Sequence, residues 1–307
     1  MTGRVSTLGG YQSALLNLNR AQARSADAQE RISTEKVASD LAGYGRSTES
    51  LTALKSARAR LQGFIDTSNA VSARLDTQAL AFDRMSDATQ AARNAIAEAL
   101  AAGRAEGMML AVEGAYQTVQ DALNTKHQGR YVFSGGQADT RPVSADTLAQ
   151  LAAAPLVADV FDNDQLKSAS RIDESTTVQT GFLANELGSP VFAAFRAVQV
   201  FHAATPITGP LTDAQRDFLT QQLAAFDAAR EGLISSGAHN GSLQNRVESL
   251  ITAHSAQQDS LDNLVSDKVT ADPAQAITDL QMSQVAVQAA AQVLISLRET
   301  SLLNLLR

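Results

Sequence analysis

Residues 48 to 82 read TESLTALKSARARLQGFIDTSNAVSARLDTQALAF, and within them Leu54, Leu61, Ser68, Leu75 and Phe82 recur every seventh position. A seven-residue repeat keeps one side of a helix turned toward a partner helix, which predicts a long helix from about Thr48 past Phe82. On its N-terminal side Gly43-Tyr44-Gly45 predicts a break, and before that break Leu8, Leu15, Leu18 and Ile32 lie at helical spacings among mostly polar neighbours. On its C-terminal side Gly103 and Gly107 predict an interruption, followed by a shorter amphipathic helix through Met109, Val112, Tyr116, Val119 and Leu123. No proline occurs in the first 141 residues. Proline is the strongest interior breaker, so this half of the chain is open to long helices.

The pattern changes near Lys126. Gly129 to Gly136 sets Tyr131, Val132 and Phe133 between glycines, which predicts a strand entering an insertion. Short apolar runs such as Arg171-Ile172-Asp173 and Thr177-Val178-Gln179 continue to about Gly188, with a short helix expected near Thr147 to Ala153. Helical character returns from Phe192 to Ala203, pauses between Pro206 and Pro210, and resumes after Thr212 or Asp213, either of which suits a cap. Gly237, Asn240 and Gly241 predict the end of that helix. Leu243, Val247, Leu250, His254, Gln257, Leu261 and Leu264 then follow a 4-3 spacing to the break at Asp272-Pro273. Pro273 suits a first helical turn, and a last helix runs to Leu305 with Ile277, Leu280, Val287, Ala291 and Leu294 toward one side. The expectation is a mainly α fold: an elongated antiparallel bundle of long N- and C-terminal helices, a coiled-coil-like rod, with a small β-containing insertion in mid-chain.

Composition narrows the function. Hydrophobic residues make up 44% of the 307, but aromatics are 5% and Trp is absent, so Ala, Leu and Val carry the apolar share and favour close helix contacts. Twenty-five basic against 32 acidic residues give a net charge of -7 with no basic cluster, which argues against nucleic acid. There is no cysteine, hence no disulfide framework or thiolate metal site. Met1 to Arg20 interleaves charge and Asn with its leucines, unlike a secretory signal, and no stretch is read as membrane-spanning, so no membrane insertion is expected. His127, His202, His239 and His254 are scattered without metal-ligand spacing, and Asp40 and Asp83 have no evident partner carboxylate. Gly135-Gly136 lacks the downstream Gly-Lys-Ser/Thr of a phosphate loop, and no G-x-S-x-G elbow occurs. No enzyme, cofactor or metal site is expected.

Several motifs, in order, resemble the flagellin superfamily, and within it the hook-associated protein 3 family. Arg4-Val5-Ser6-Thr7 with Tyr11 and Leu15 is similar to the family's start, and Gln29-Glu30-Arg31-Ile32-Ser33-Thr34 to its Q-x-x-I-S-T-G segment, with Glu35 in the glycine's place. Ala38-Ser39-Asp40-Leu41 stands where many members have P-S-D-D-P. Gly129 to Gly135 resembles G-x-Y-L-F-S-G, Gly241 to Leu250 with Arg246, Val247 and Glu248 resembles G-x-x-x-x-R-L-E, and Ser301 to Leu306 resembles the S-L-x-x-x-L end. Residues 139 to 184 match nothing specific.

The resemblance implies a secreted structural subunit at the hook-filament junction of the bacterial flagellum. It would be held by an export chaperone, passed through the flagellar type III export apparatus, and assembled with copies of itself, an adjacent hook-associated protein and filament flagellin. The parts implied are 1–45, an inner-tube helix mobile in the monomer; 46–128, rod; 129–188, an outward β-rich insertion; 189–272, rod; and 273–307, an inner-tube helix. Leu8, Leu15, Leu18, Ile32, Leu280, Val287, Leu294, Leu297, Leu302 and Leu305 would form the assembly interface. Leu54, Leu61, Leu75, Phe82, Leu243, Val247, Leu250, Leu261 and Leu264 would pack the rod helices. Filament flagellin, or a soluble coiled-coil scaffold or signalling protein, are the alternatives; the scaffold reading leaves the middle segment and the matched termini without a reason.

Overall fold

The computed structural model describes the backbone of residues 3–305 and the side chains of residues 9–298. In chain order it contains α1 (Gly3–Thr34), α2 (Thr48–Ala102), α3 (Met108–Leu123), β1 (Lys126–His127), β2 (Arg130–Tyr131), α4 (Leu148–Ala153), β3 (Ala169–Arg171), β4 (Thr177–Gln179), α5 (Ala184–Ala204), α6 (Asp213–Val269) and α7 (Pro273–Leu305). It is 75% helical, with the long terminal helices packed on one another and two small two-stranded sheets in the middle, which is the mainly α architecture expected. The chain divides into two compact units, residues 1–60 with 257–307, and residues 61–256.

In the first unit α1 packs against α7. Their connectors meet: the Val37 N–H donates to the Val269 carbonyl at 2.8 Å and the Ala271 N–H to the Glu35 carbonyl at 2.9 Å. One helix therefore arrives where the other departs, and the pair runs antiparallel. Asp272 starts α7 by accepting from the Ala274 N–H at 2.9 Å, which leaves Pro273 at the first helical position, where its missing N–H costs nothing. The break between α1 and α2 is held by Asp40, which accepts from the Gly43 N–H at 2.8 Å, and by Tyr44, whose hydroxyl donates to the Ala38 carbonyl at 2.9 Å.

In the second unit α2 and α6 run antiparallel. The Asn240 amide donates to the Leu75 carbonyl at 3.0 Å, Gln244 to Asp76 at 2.8 Å, and Arg93 makes a two-pronged pair with Asp227 at 3.0 and 3.3 Å. Their far ends are tied by the Leu211 N–H to the Gly103 carbonyl and the Ala105 N–H to the Gly209 carbonyl, both 2.9 Å. Thr212 caps α6 in a reciprocal box with Gln215: the Thr212 N–H donates to Gln215 Oε1 at 2.9 Å, and the Gln215 N–H to Thr212 Oγ1 at 3.3 Å. α3 and α5 complete the core, where Tyr116 lies between the rings of Phe192 and Phe195 at 5.2 and 5.7 Å, and Phe195 meets Phe226 at 5.0 Å. β3 and β4 form a ribbon that buries Ile172 and Val178 among Val71, Leu75, Leu243 and Val247.

Three local expectations are corrected. Gly237 and Gly241 do not end a helix: α6 runs unbroken through them, with Gly237 set opposite Phe82 and Asn240 bonded across to α2. Tyr131, Val132 and Phe133 do not form one strand: only Arg130–Tyr131 pairs, with Lys126–His127, across the tight turn of Gln128 (φ +50°) and Gly129 (φ +81°). The Val132 N–H still reaches back to the Thr125 carbonyl at 3.0 Å, whereas Phe133 leaves the ladder, its carbonyl accepting from the Ala184 N–H at 2.9 Å, and both side chains are buried. α5 begins at Ala184 rather than near Phe192 and carries Pro190 inside it, since Ala184, Leu187, Gly188 and Val191 already face the core. A Cβ at Gly188 would stand 2.8 Å from the Phe161 ring and 2.9 Å from Leu123, so any larger residue would have to displace both side chains.

Candidate assembly surfaces

Toward α7, α1 turns a seam of Ala14, Leu18, Ala21, Ser25, Ala28 and Ile32, of which the three alanines are buried. In return α7 offers Ala276, Leu280, Ser283, Val287, Ala290, Leu294 and Leu297, with Ala276 and Ser283 buried and the rest half-buried. Both follow a 4-3 spacing. Small residues at the buried positions let the helices approach closely but remove little apolar area from water, so the pair gains modestly from its own contact.

The expected interface residues divide accordingly. Leu18, Ile32, Leu280, Val287, Leu294 and Leu297 lie half-buried on the seam between the paired helices, whereas Leu15 is turned away from it and Ala14 takes the inward place. Leu8, Leu302 and Leu305 fall outside the described side chains. Of the expected rod residues, Leu75, Phe82, Leu243 and Val247 are buried, Leu54, Leu61, Leu250 and Leu261 half-buried, and Leu264 is 49% exposed.

The larger apolar surface lies elsewhere. On α7, Met282, Val285, Val293 and Ile295 are 61, 65, 50 and 58% exposed, and Gln281, Met282, Val285, Ala286 and Ala289 line one shallow apolar depression. On α1, Tyr11, Leu15 and Leu16 are exposed as well. Reading one stripe per helix named Leu15 among these residues and missed Leu16, Met282, Val285, Val293 and Ile295. The available signal was the absence of any charged side chain between Asp279 and Arg298. That absence also corrects the expectation that no stretch has the make-up of a membrane span: by length and composition alone Pro273–Arg298 does, although Thr278, Asp279 and several Gln and Ser residues interrupt it.

The four histidines all have structural partners. His127 Nδ1 lies 2.9 Å from Thr77 Oγ1; His202 Nδ1 accepts from the Ile207 N–H at 3.0 Å; His239 meets the Phe182 ring edge at 5.8 Å; and His254 is buried 5.8 Å from the Phe64 ring and 3.8 Å from Asp173. Among the described residues no three His, Asp or Glu side chains are gathered as for a metal ion.

The comparisons agree with this arrangement of terminal helices. The family model for the bacterial flagellin N-terminal helical region matches residues 5–138, and that for the bacterial flagellin C-terminal helical region matches residues 223–306. Among solved structures, a putative flagellar hook-associated protein from Vibrio parahaemolyticus is similar at 13% identity and a TM-score of 0.60, over 75% of this chain and 99% of that one. Bacillus cereus FlgL is similar at 18% identity and a TM-score of 0.54, over 70% of this chain and 98% of that one. At those identities the likeness is one of fold. No curated protein matches the chain.

Proposed function

The chain belongs to the flagellin superfamily, whose members are structural components of the bacterial flagellum and not enzymes, and on that premise we propose that it joins hook to filament. The observation that carries the assembly part of this reading is the uncovered apolar surface of α7 and α1. Each large apolar side chain removed from water contributes about 1.5–3 kcal/mol, so the exposed positions of the two terminal helices offer more on burial than their mutual seam supplies. Copies of the chain and its flagellar neighbours would cover them, through contacts that repeat head to tail and generate a tube. The same burial accounts for the membrane-like composition of Pro273–Arg298 without a membrane.

The junction, rather than the length of the filament, is favoured by the fold likeness to a hook-associated protein and to FlgL, which span most of this chain and nearly all of theirs. Between the two regions that match flagellin lie only residues 139–222, and α5 and the start of α6 take up much of that span, which leaves a short insertion. Passage through the type III apparatus and a holding chaperone belong to the same proposal. Deleting the gene tests it. A junction subunit leaves hooks standing while filament protein is shed into the medium; a filament subunit leaves hooks with nothing to shed, which would overturn the assignment.

A further inference from the structure

Where β1 and β2 turn beside α2, a recess of about 270 Å³ is lined by Arg74, His127, Arg130, Tyr131, Ser168 and the Gly135-Gly136 backbone among others. Arg74 spends one guanidinium nitrogen on the Val132 carbonyl at 3.2 Å and has no carboxylate partner among the described residues. Arg130, exposed on β2, has none among them either, and Lys126 lies 4.4 Å over the Tyr131 ring. The cations are close enough to act on each other: burial first, and then the charge of Arg130, hold the Arg74 guanidinium below its ordinary pKa. Thr77 gives its hydroxyl proton to the Ala73 carbonyl at 3.0 Å, so His127 Nδ1 donates to Thr77 Oγ1, and Nε2, which on the neutral ring only accepts, gives an anion no hydrogen bond. Asp164 stands near, and its Oδ1 already accepts from the Gly136 N–H at 2.8 Å and the Leu166 N–H at 3.0 Å.

We propose that this recess is an oxyanion-binding site, taking a carboxylate or phosphate between the guanidinium groups of Arg74 and Arg130. Two arginines facing one cavity, neither paired with a carboxylate, repel each other, and an oxyanion converts that repulsion into charge-assisted, forked hydrogen bonds. The volume admits a phosphate, a citrate or one acidic side chain. A chain with net charge -7 presents many carboxylates, so a second copy can supply the anion as well as solution can.

Calorimetry of the full chain against inorganic phosphate and against citrate, at constant ionic strength, tests the site. Saturable binding is expected, weakened at least tenfold by Arg130→Gln, an exposed position whose loss leaves the fold intact, and unchanged by Arg20→Gln, which removes the same charge from α1. Arg74→Gln should weaken it further, but Arg130→Gln decides the matter should that variant misfold. Absence of saturable binding, or equal effects of the two exposed substitutions, would overturn the proposal. Sedimentation under assembling conditions separates the sources of the anion. A carboxylate from a second copy makes Arg130→Gln lower the assembled fraction several-fold, whereas a free anion leaves assembly unchanged while the calorimetric loss remains.

Discussion

Glu35 has a backbone φ of +55°, in the left-handed region, at the position where the related sequence pattern has glycine. A side chain there costs about 1–2 kcal/mol, while glycine costs about 0.5–1 kcal/mol in chain entropy. Glu35→Gly is therefore expected to raise stability by roughly 0.5–1 kcal/mol, measured by urea unfolding. Tyr116 gives a second test. Its hydroxyl is buried and donates to the Ala145 carbonyl at 2.7 Å, and burial, then Glu113 and Asp146, push its pKa above the ordinary tyrosine range. A phenol whose folded pKa exceeds its unfolded one contributes stability in full below about pH 10 and loses it above, as the unfolded chain releases the proton first. Tyr116→Phe should cost about 1–2 kcal/mol near neutral pH and flatten the fall in stability measured between pH 10 and 11.

At the scale of the helix, the two ends of α2 and the start of α7 were legible because their signals are local. Gly103 takes a φ of +66° just past Ala102, and Asp272-Pro273 makes a cap with a first-turn proline. What escaped were places where a residue's local preference is overruled by what it touches. Gly237 and Asn240 break helices in isolation, yet here they fit α6 against Phe82 and Leu75, and Pro190 sits inside α5 because its neighbours are held by the core. The exposed apolar surface was half legible for the same kind of reason: a 4-3 repeat marks the stripe that pairs within the chain and is silent about an apolar stripe beside it. Two substitutions separate these stripes. Leu75→Ala, fully buried, should lower stability by about 2–5 kcal/mol. Val285→Asp, 65% exposed, should move the melting of the free chain by no more than about 0.5 kcal/mol and abolish incorporation into flagella, read by immunoblot of sheared filaments.

For the molecule as a whole, the account makes α1 and α7 a pair whose seam of alanines and serines holds it only in part, and whose outer faces await other subunits. The chain has no cysteine, so a single introduced thiol reports on one position without background. Val285→Cys on α7 and Leu166→Cys in the middle segment, 65 and 69% exposed in the free chain, should both react rapidly with a fluorescent maleimide in purified protein. On intact flagella the account predicts that Leu166→Cys labels as one spot per filament, at the hook end, while Val285→Cys stays dark. Labelling of Val285→Cys on flagella at its free-chain rate would contradict burial of α7 between subunits, and Leu166→Cys label spread along the filament would contradict the junction.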